Sequence, residues 1–180
     1  MPRPRDQAMT EIQQLLHTLG QPEYVHVLLN PLPVYGLTMA LIALGVGLVT
    51  RSKAAQITGL LLVVSASVAV WPVVEYGEHG YDRVLSMSNN DAQLWLKVHA
   101  YRASRFAVVF YVTAAVAAAA LVATWKSLRA DRMLTLLVLL AAMVSLAVGG
   151  WISHAGGQVR HSEFREGPPP HPVEYAPDGD

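Results

Sequence analysis

Four stretches of this chain contain no Asp, Glu, Lys, Arg or His: residues 32–50, 54–74, 106–125 and 133–152. Each is roughly 20 residues long, enough at about 1.5 Å per residue to cross a hydrocarbon core of about 30 Å. A water-soluble four-helix bundle needs a polar stripe on every helix. Residues 108–123 and 134–146 offer none, being apolar on every face. Charged residues make up 14% of the chain and hydrophobic ones 53%, against about 25% charged in a typical soluble domain. The pattern predicts an all-α integral membrane protein: a four-helix up-down bundle with a polar extramembrane cap between helices 2 and 3.

The same composition excludes several kinds of chemistry. With no cysteine in the chain, disulfides, thiolate-bound iron–sulfur clusters, covalently attached c-type haem and cysteine nucleophiles are ruled out. Thirteen basic and thirteen acidic residues balance, and no basic stripe interleaves with aromatics, so nucleic acid is not an expected partner. No continuous apolar core follows Arg3 and Arg5, so no secretory signal is expected.

Three regions follow along the chain. Residues 1–29 form an N-terminal tail with a short amphipathic helix. There Met9, Ile12, Leu15, Leu16 and Leu19 recur at helical spacing, Thr10 and Gln13 have capping-box spacing, and Gly20 and Pro22 end the pattern. Such a helix is expected to lie on the membrane surface or to dock a partner. Residues 30–157 form the four-span domain. Asn30-Pro31 is a helix start, Pro72 limits the second span, Asn89-Asn90-Asp91 caps a long third helix reaching Trp125, and Gly149-Gly150 with Gly156-Gly157 closes the fourth. Two small-residue ridges, Gly36/Ala40 and Ala107/Ala114/Ala118, suit helix–helix contact. Residues 158–180 are a polar tail, expected to be partly disordered.

The turns at 51–53 and 126–132 hold five of the thirteen Lys and Arg residues within a dozen positions. Their density predicts that these turns are cytoplasmic, with the termini and the 75–105 stretch outside. Localisation in a bacterial inner membrane, as a multi-pass protein, is the matching expectation.

The 73–105 stretch carries most candidates for chemistry: Glu75, Glu78, His79, Asp82, Arg83, Asp91, Lys97, His99, Arg102 and Arg105. His26, His79, His99 and His154 each sit near the end of a different span on this same side. An up-down bundle gathers those ends, and neutral imidazole is the commonest protein ligand for transition metals and haem iron. The cofactor-binding candidates are therefore His79, His99, His154 and His26, with Arg102 balancing a carboxylate such as a haem propionate. A mixed metal site of Glu75, Glu78, His79 and His99 is the alternative set, or the two carboxylates orient a ligand's second nitrogen. Taken one at a time, these histidines also suit plain hydrogen bonding to backbone or lipid headgroups.

Several strings together point to a family: a His-containing lead-in to Asn30-Pro31-Leu32-Pro33, four spans, a His before the third, and the terminal WISHAGGQVRH. In these the chain resembles uncharacterised bacterial four-helix inner-membrane proteins with histidines at helix ends, some of which look like small b-type cytochromes or respiratory-chain accessory proteins. His26, His99 and His154 are the matching positions. Bis-histidine cytochromes place a ligand inside a span, and this chain has none there. The resemblance implies a membrane protein binding a b-type haem or a transition metal at one interface and serving respiratory electron transfer. A non-catalytic structural subunit of a larger respiratory membrane complex is the competing expectation. The lipid bilayer is a partner in both.

Overall fold

The computed structural model describes residues 4–127 and 131–177, with side chains from Thr10 onward. Met9 and the middle of the 126–132 turn lie outside the described side chains. Among the described residues eight α-helices and one short 3-10 turn follow in order: α1 Pro4–Leu19, α2 Pro22–Leu29, α3 Pro31–Thr50, α4 Lys53–Val68, α5 Val70–His79, α6 Tyr81–Met87, α7 Asn90–Trp125, α8 Asp131–Arg160, and the turn Ser162–Phe164. No strand occurs among the described residues. Four continuous helical stretches are long and apolar enough to cross a membrane: Pro22–Thr50, Lys53–His79, Asn90–Trp125 and Asp131–Arg160.

The first two stretches join elements that sequence alone separates. Asn30 keeps α-helical backbone angles, makes no side-chain cap, and donates its own N–H to the His26 carbonyl, so α2 and α3 run together. Pro31 removes one hydrogen-bond donor without ending the helical stretch. Ala69 is likewise helical between α4 and α5. Pro72 therefore does not end the second span, which persists to His79. Thr10 lies inside α1 and is not a cap. The fourth helix passes through both glycine pairs to Arg160. Gly149 explains why: a Cβ there would lie 3.3 Å from both Phe110 Cζ and Val34 Cγ2. The glycine serves tight interhelical packing, and that packing holds the helix together.

Contacts between α3 and α4 run in opposite directions along the two helices. Gly36 meets Ala66, Leu44 meets Gly59, and Gly47 meets Gln56, whose Nε2 donates to the Gly47 carbonyl at 3.2 Å. α7 and α8 pair in the same sense, through Thr113 with Ser145 at 2.8 Å and through Phe110 with Gly149. A hydroxyl pair buried among apolar helices satisfies both groups where water is missing. The buried core is mostly small: Ala40, Ala107, Ala117, Ala120 and Ala142 pack with Leu37, Leu44, Leu60, Val63, Phe110 and Val138, and Ala114 is buried as well. Ala118, assigned to the ridge by spacing, is instead exposed, and Ala117 and Ala120 take its place. Outward-facing side chains such as Ile42, Val46, Leu61, Val112 and Leu140 are apolar, which suits contact with lipid.

Beyond the core, α6, the first turns of α7 and the last turns of α8 form a second cluster around Tyr81, Trp95, Leu96, Val98, Ala155 and Val159. The C-terminal segment lies across it. Trp95 Nε1 donates to the Gly167 carbonyl at 3.1 Å, Lys97 pairs with Glu174 at 2.8 Å, and Tyr81 and Tyr175 meet edge to face. Burial pushes the Tyr81 phenol upward in pKa, with Asp82 and Glu174 adding to it. Residues 165–177 thus lie as a strap across this cluster; the last three residues lie outside the described set. Val173 and Tyr175 supply the reason, an apolar anchor within a polar tail.

Candidate functional site

Two of the four candidate histidines meet. His26, one turn before the end of α2, and His99, on the third turn of α7, place their ring centroids 6.0 Å apart at an interplanar angle of 77°. His99 is buried, with 8% of its surface exposed, and His26 is half-buried. Each ring has one nitrogen fixed by main chain. His26 Nδ1 is 2.7 Å from the Val73 carbonyl of α5, and His99 Nδ1 is 3.0 Å from the Ile152 carbonyl of α8. A carbonyl only accepts, so both Nδ1 atoms carry the proton. In the neutral ring Nε2 then holds a lone pair, which makes it the nitrogen available for a metal or a donor.

Glycines make room for both rings. A Cβ at Gly77 would lie 2.9 Å from His26 Nδ1, and one at Gly156 would lie 3.0 Å from His99 Cε1. Gly156 was expected to close the fourth span, and Gly77 follows Pro72, which was expected to limit the second. Both are helical, and what approaches them is imidazole. Two carbonyls and two glycines therefore set the pair, and neither kind of group carries a sequence signature.

Arg102, one turn beyond His99, lies with its guanidinium carbon 3.8 Å from the centroid of the Trp151 ring and donates Nη1 to the Trp151 carbonyl at 3.1 Å. It thus braces α7 against α8 beside the pair. Phe106 meets the same indole edge to face. On the other side Glu23 pairs with Arg83 at 2.9 Å, tying α2 to α6, and Gly80 is packed against Glu23.

The remaining candidates stand elsewhere. His79 Nδ1 is 2.8 Å from the Glu75 carbonyl of its own helix, and 51% of its side chain is exposed. The i, i+4 relation of Glu75 and His79 holds because α5 continues past Pro72, but it is a surface pair, with the Glu75 carboxylate 3.8 Å away. His154 is exposed and sits edge to face with Trp95 at 6.3 Å. Among the described residues no three His, Asp or Glu side chains are grouped as a metal site would require, so Glu75, Glu78, His79 and His99 are not gathered into one.

Two further residues of this region were not singled out by sequence. Arg165 donates to the Gln158 and Val159 carbonyls and, at 3.2 Å, to Asn89 Oδ1. It closes the carbonyl end of α8 and joins it to the cap of α7, the role expected of a cation at a helix C-terminus. Gln158 is buried, and its Oε1 has no hydrogen-bond partner. No family model, curated protein or solved structure matches the chain.

Proposed function

We propose that this is a multi-pass protein of the bacterial inner membrane, an up-down bundle that holds a b-type haem or a transition-metal ion at one interface through His26 and His99, in the service of respiratory electron transfer. The observation that carries the reading is the His26–His99 pair. Two imidazoles from distant parts of the chain meet in a buried place with both Nδ1 atoms committed to carbonyls. That second-nitrogen bond is what fixes ring orientation and raises ligand basicity in metal-binding histidines. Two imidazoles holding one ion from opposite sides, with metal–nitrogen distances of about 2 Å, have centroids about 6 Å apart, and the observed separation is 6.0 Å. A porphyrin supplies four nitrogens of its own, so two histidines suffice for haem. A bare ion would need water or His154 as well. Arg102 stands one turn away as the cation for a carboxylate.

The cap over the pair, built from α5, α6, the start of α7 and the strap, would shield such a site from water. It would face outward, with the basic short turns in the cytoplasm. The test is the visible absorption spectrum and metal content of the detergent-purified protein, with His26→Ala and His99→Ala beside it. A haem or metal signal lost in both variants, and kept in His79→Ala, supports the reading. A colourless, metal-free protein from cells supplied with both cofactors sinks it.

One specific observation favours the second reading, a non-catalytic subunit of a larger respiratory membrane complex. Each ring of the pair already clamps one helix to another, α2 to α5 and α7 to α8. A purely structural histidine pair would do the same.

A further inference from the structure

The opposite end of the bundle is built differently. There the last turns of α3 and α7 and the first turns of α4 and α8 surround a cleft of about 330 Å³. Both short turns begin on a non-glycine residue in the left-handed region, Arg51 with φ 54° and Ser127 with φ 53°. Lys53 links them: its Nζ donates to Ser127 Oγ at 2.8 Å and reaches the Trp125 carbonyl at 3.4 Å. Among the described residues three cations line the cleft, Arg51, Lys53 and Arg132, against one carboxylate, Asp131. Asp131 Oδ1 is taken by the Arg132 backbone N–H at 2.6 Å. Among the described residues neither Arg51 nor Arg132 has an ion pair.

A second, independent feature borders the same space. Thr124 lines the cleft, is 1% exposed, and its Oγ1 has no hydrogen-bond partner. A buried hydroxyl left without a partner is unfavourable. Thr113 and Thr135, by contrast, bond to the carbonyl one turn back. An acceptor entering the cleft would satisfy Thr124 and offset the surplus positive charge together. Of the other lining residues, Gln56 donates its amide to the Gly47 carbonyl and Ser127 accepts from Lys53, and two leucines supply apolar wall. Leu48 and Leu136 line it and continue into the outward faces of α3 and α8, where Val46, Val49, Met133 and Leu137 are exposed.

We propose that this cleft binds the phosphate of an anionic phospholipid, with Arg51, Lys53 and Arg132 supplying the countercharge, Thr124 donating its hydroxyl, and the acyl chains lying along α3 and α8. Inorganic phosphate offers the same oxygen chemistry. The apolar walls favour the lipid, whose chains they accommodate. The site is independent of the histidine pair, which lies at the other end.

The experiment is thermal unfolding of the full-length protein in a non-ionic detergent, titrated with phosphatidylglycerol, phosphatidylcholine or inorganic phosphate, with bound lipid counted by native mass spectrometry. Phosphatidylglycerol is expected to raise the midpoint saturably, and phosphatidylcholine is not. Each of Arg51→Gln and Arg132→Gln should raise the half-saturating concentration about fivefold, the effect of one basic residue at an anionic lipid surface. Thr124→Val, which keeps shape and removes the hydroxyl, should also weaken the response, while Arg105→Gln at the far end leaves it unchanged. Reading the lipid-induced shift within each variant separates binding from any change in baseline stability. Equal stabilisation by both lipids, or an unaltered phosphatidylglycerol response in the double arginine variant, overturns the proposal. Inorganic phosphate reproducing the full, arginine-dependent shift would keep the phosphate chemistry and overturn the lipid as its source.

Discussion

His99 and Gly156 occupy one another's space: the imidazole of the first lies where a side chain on the second would be, with Cε1 3.0 Å from the position of a Cβ. His26 and Gly77 repeat the arrangement on α2 and α5, at 2.9 Å. Each histidine thus depends on a glycine of the helix it faces. A substitution at the glycine therefore reports on the ring.

Gly77→Ala and Gly156→Ala are each expected to destabilise the protein by about 1–3 kcal/mol, the usual range for overpacking. Gly45→Ala, Gly150→Ala and Gly157→Ala serve as controls, because nothing lies within 4 Å of a Cβ at those helical positions. Alanine gains up to about 1 kcal/mol of helix propensity over glycine, so these three should be neutral or stabilising. Detergent thermal denaturation followed by circular dichroism compares them. Indistinguishable behaviour of the two sets would remove the glycine seats from the account.

His99→Ala is expected to destabilise by about 2–4 kcal/mol, combining a cavity with the loss of a hydrogen bond. His79→Ala should fall within about 0.5 kcal/mol of the parent, since its ring is half exposed and bonds within its own helix. Chemical denaturation in mixed micelles would give both values. The order of the two variants is the decisive point.

The bundle was legible from the sequence where one interaction decided the outcome. Charge-free windows of membrane length can only be helices when the backbone has no water to bond, and all four occur. Asn89 was legible as the cap of α7: its side chain accepts from the Ala92 N–H at 3.0 Å. Elements failed to read correctly where tertiary packing overrode a local signal. Pro72 and the glycines of α8 look like stops, yet neighbouring helices hold the chain helical through them. Sequence puts four histidines near the ends of different spans, and two of those four meet. Which two of them meet depends on helix rotation, and on glycines that leave space for a ring. Nothing in the spacing of His79 separates it from His26. The contacts of the C-terminal segment were not legible, because Val173 and Tyr175, which pack against the second cluster, are isolated apolar residues in a polar stretch.

Ala114 and Ala118 differ in the same instructive way. Ala114 is buried against neighbouring helices and Ala118 faces outward. Ala114→Leu should destabilise by about 1–3 kcal/mol, while Ala118→Leu is expected to be tolerated. Side-by-side melting curves in one detergent decide it, and equal tolerance would place α7 in the wrong rotation.

The strap gives a prediction about protection. Arg165 makes three hydrogen bonds to the end of α8 and the cap of α7, whereas the Lys97–Glu174 pair has its carboxylate 91% exposed. Exposed ion pairs contribute about 0–1 kcal/mol. Arg165→Ala should therefore release the tail to limited proteolysis, and Glu174→Ala should leave it protected. The cleavage rate at the C-terminal segment is the measurement, and parity between the two variants would mean the strap is held by Val173 and Tyr175 alone.

Orientation follows from charge placement. The two short turns hold Arg51, Lys53, Lys126, Arg129 and Arg132, while the opposite side spreads its basic residues over a much longer length. Short loops rich in Lys and Arg stay on the cytoplasmic side. The cleft proposed to take an anionic lipid lies among those turns, and anionic lipids give the cytoplasmic leaflet its negative surface potential; the histidine pair is then expected to face outward. The chain has no cysteine of its own, so single introduced thiols report without background. Ala54 and Ser86 are suitable positions, both exposed, one beside a short turn and the other within the cap. In spheroplasts a membrane-impermeant maleimide is expected to label Ser86→Cys at once and Ala54→Cys only after lysis. The reverse order would turn the protein over, placing the histidine pair at the cytoplasmic face and the basic turns outside.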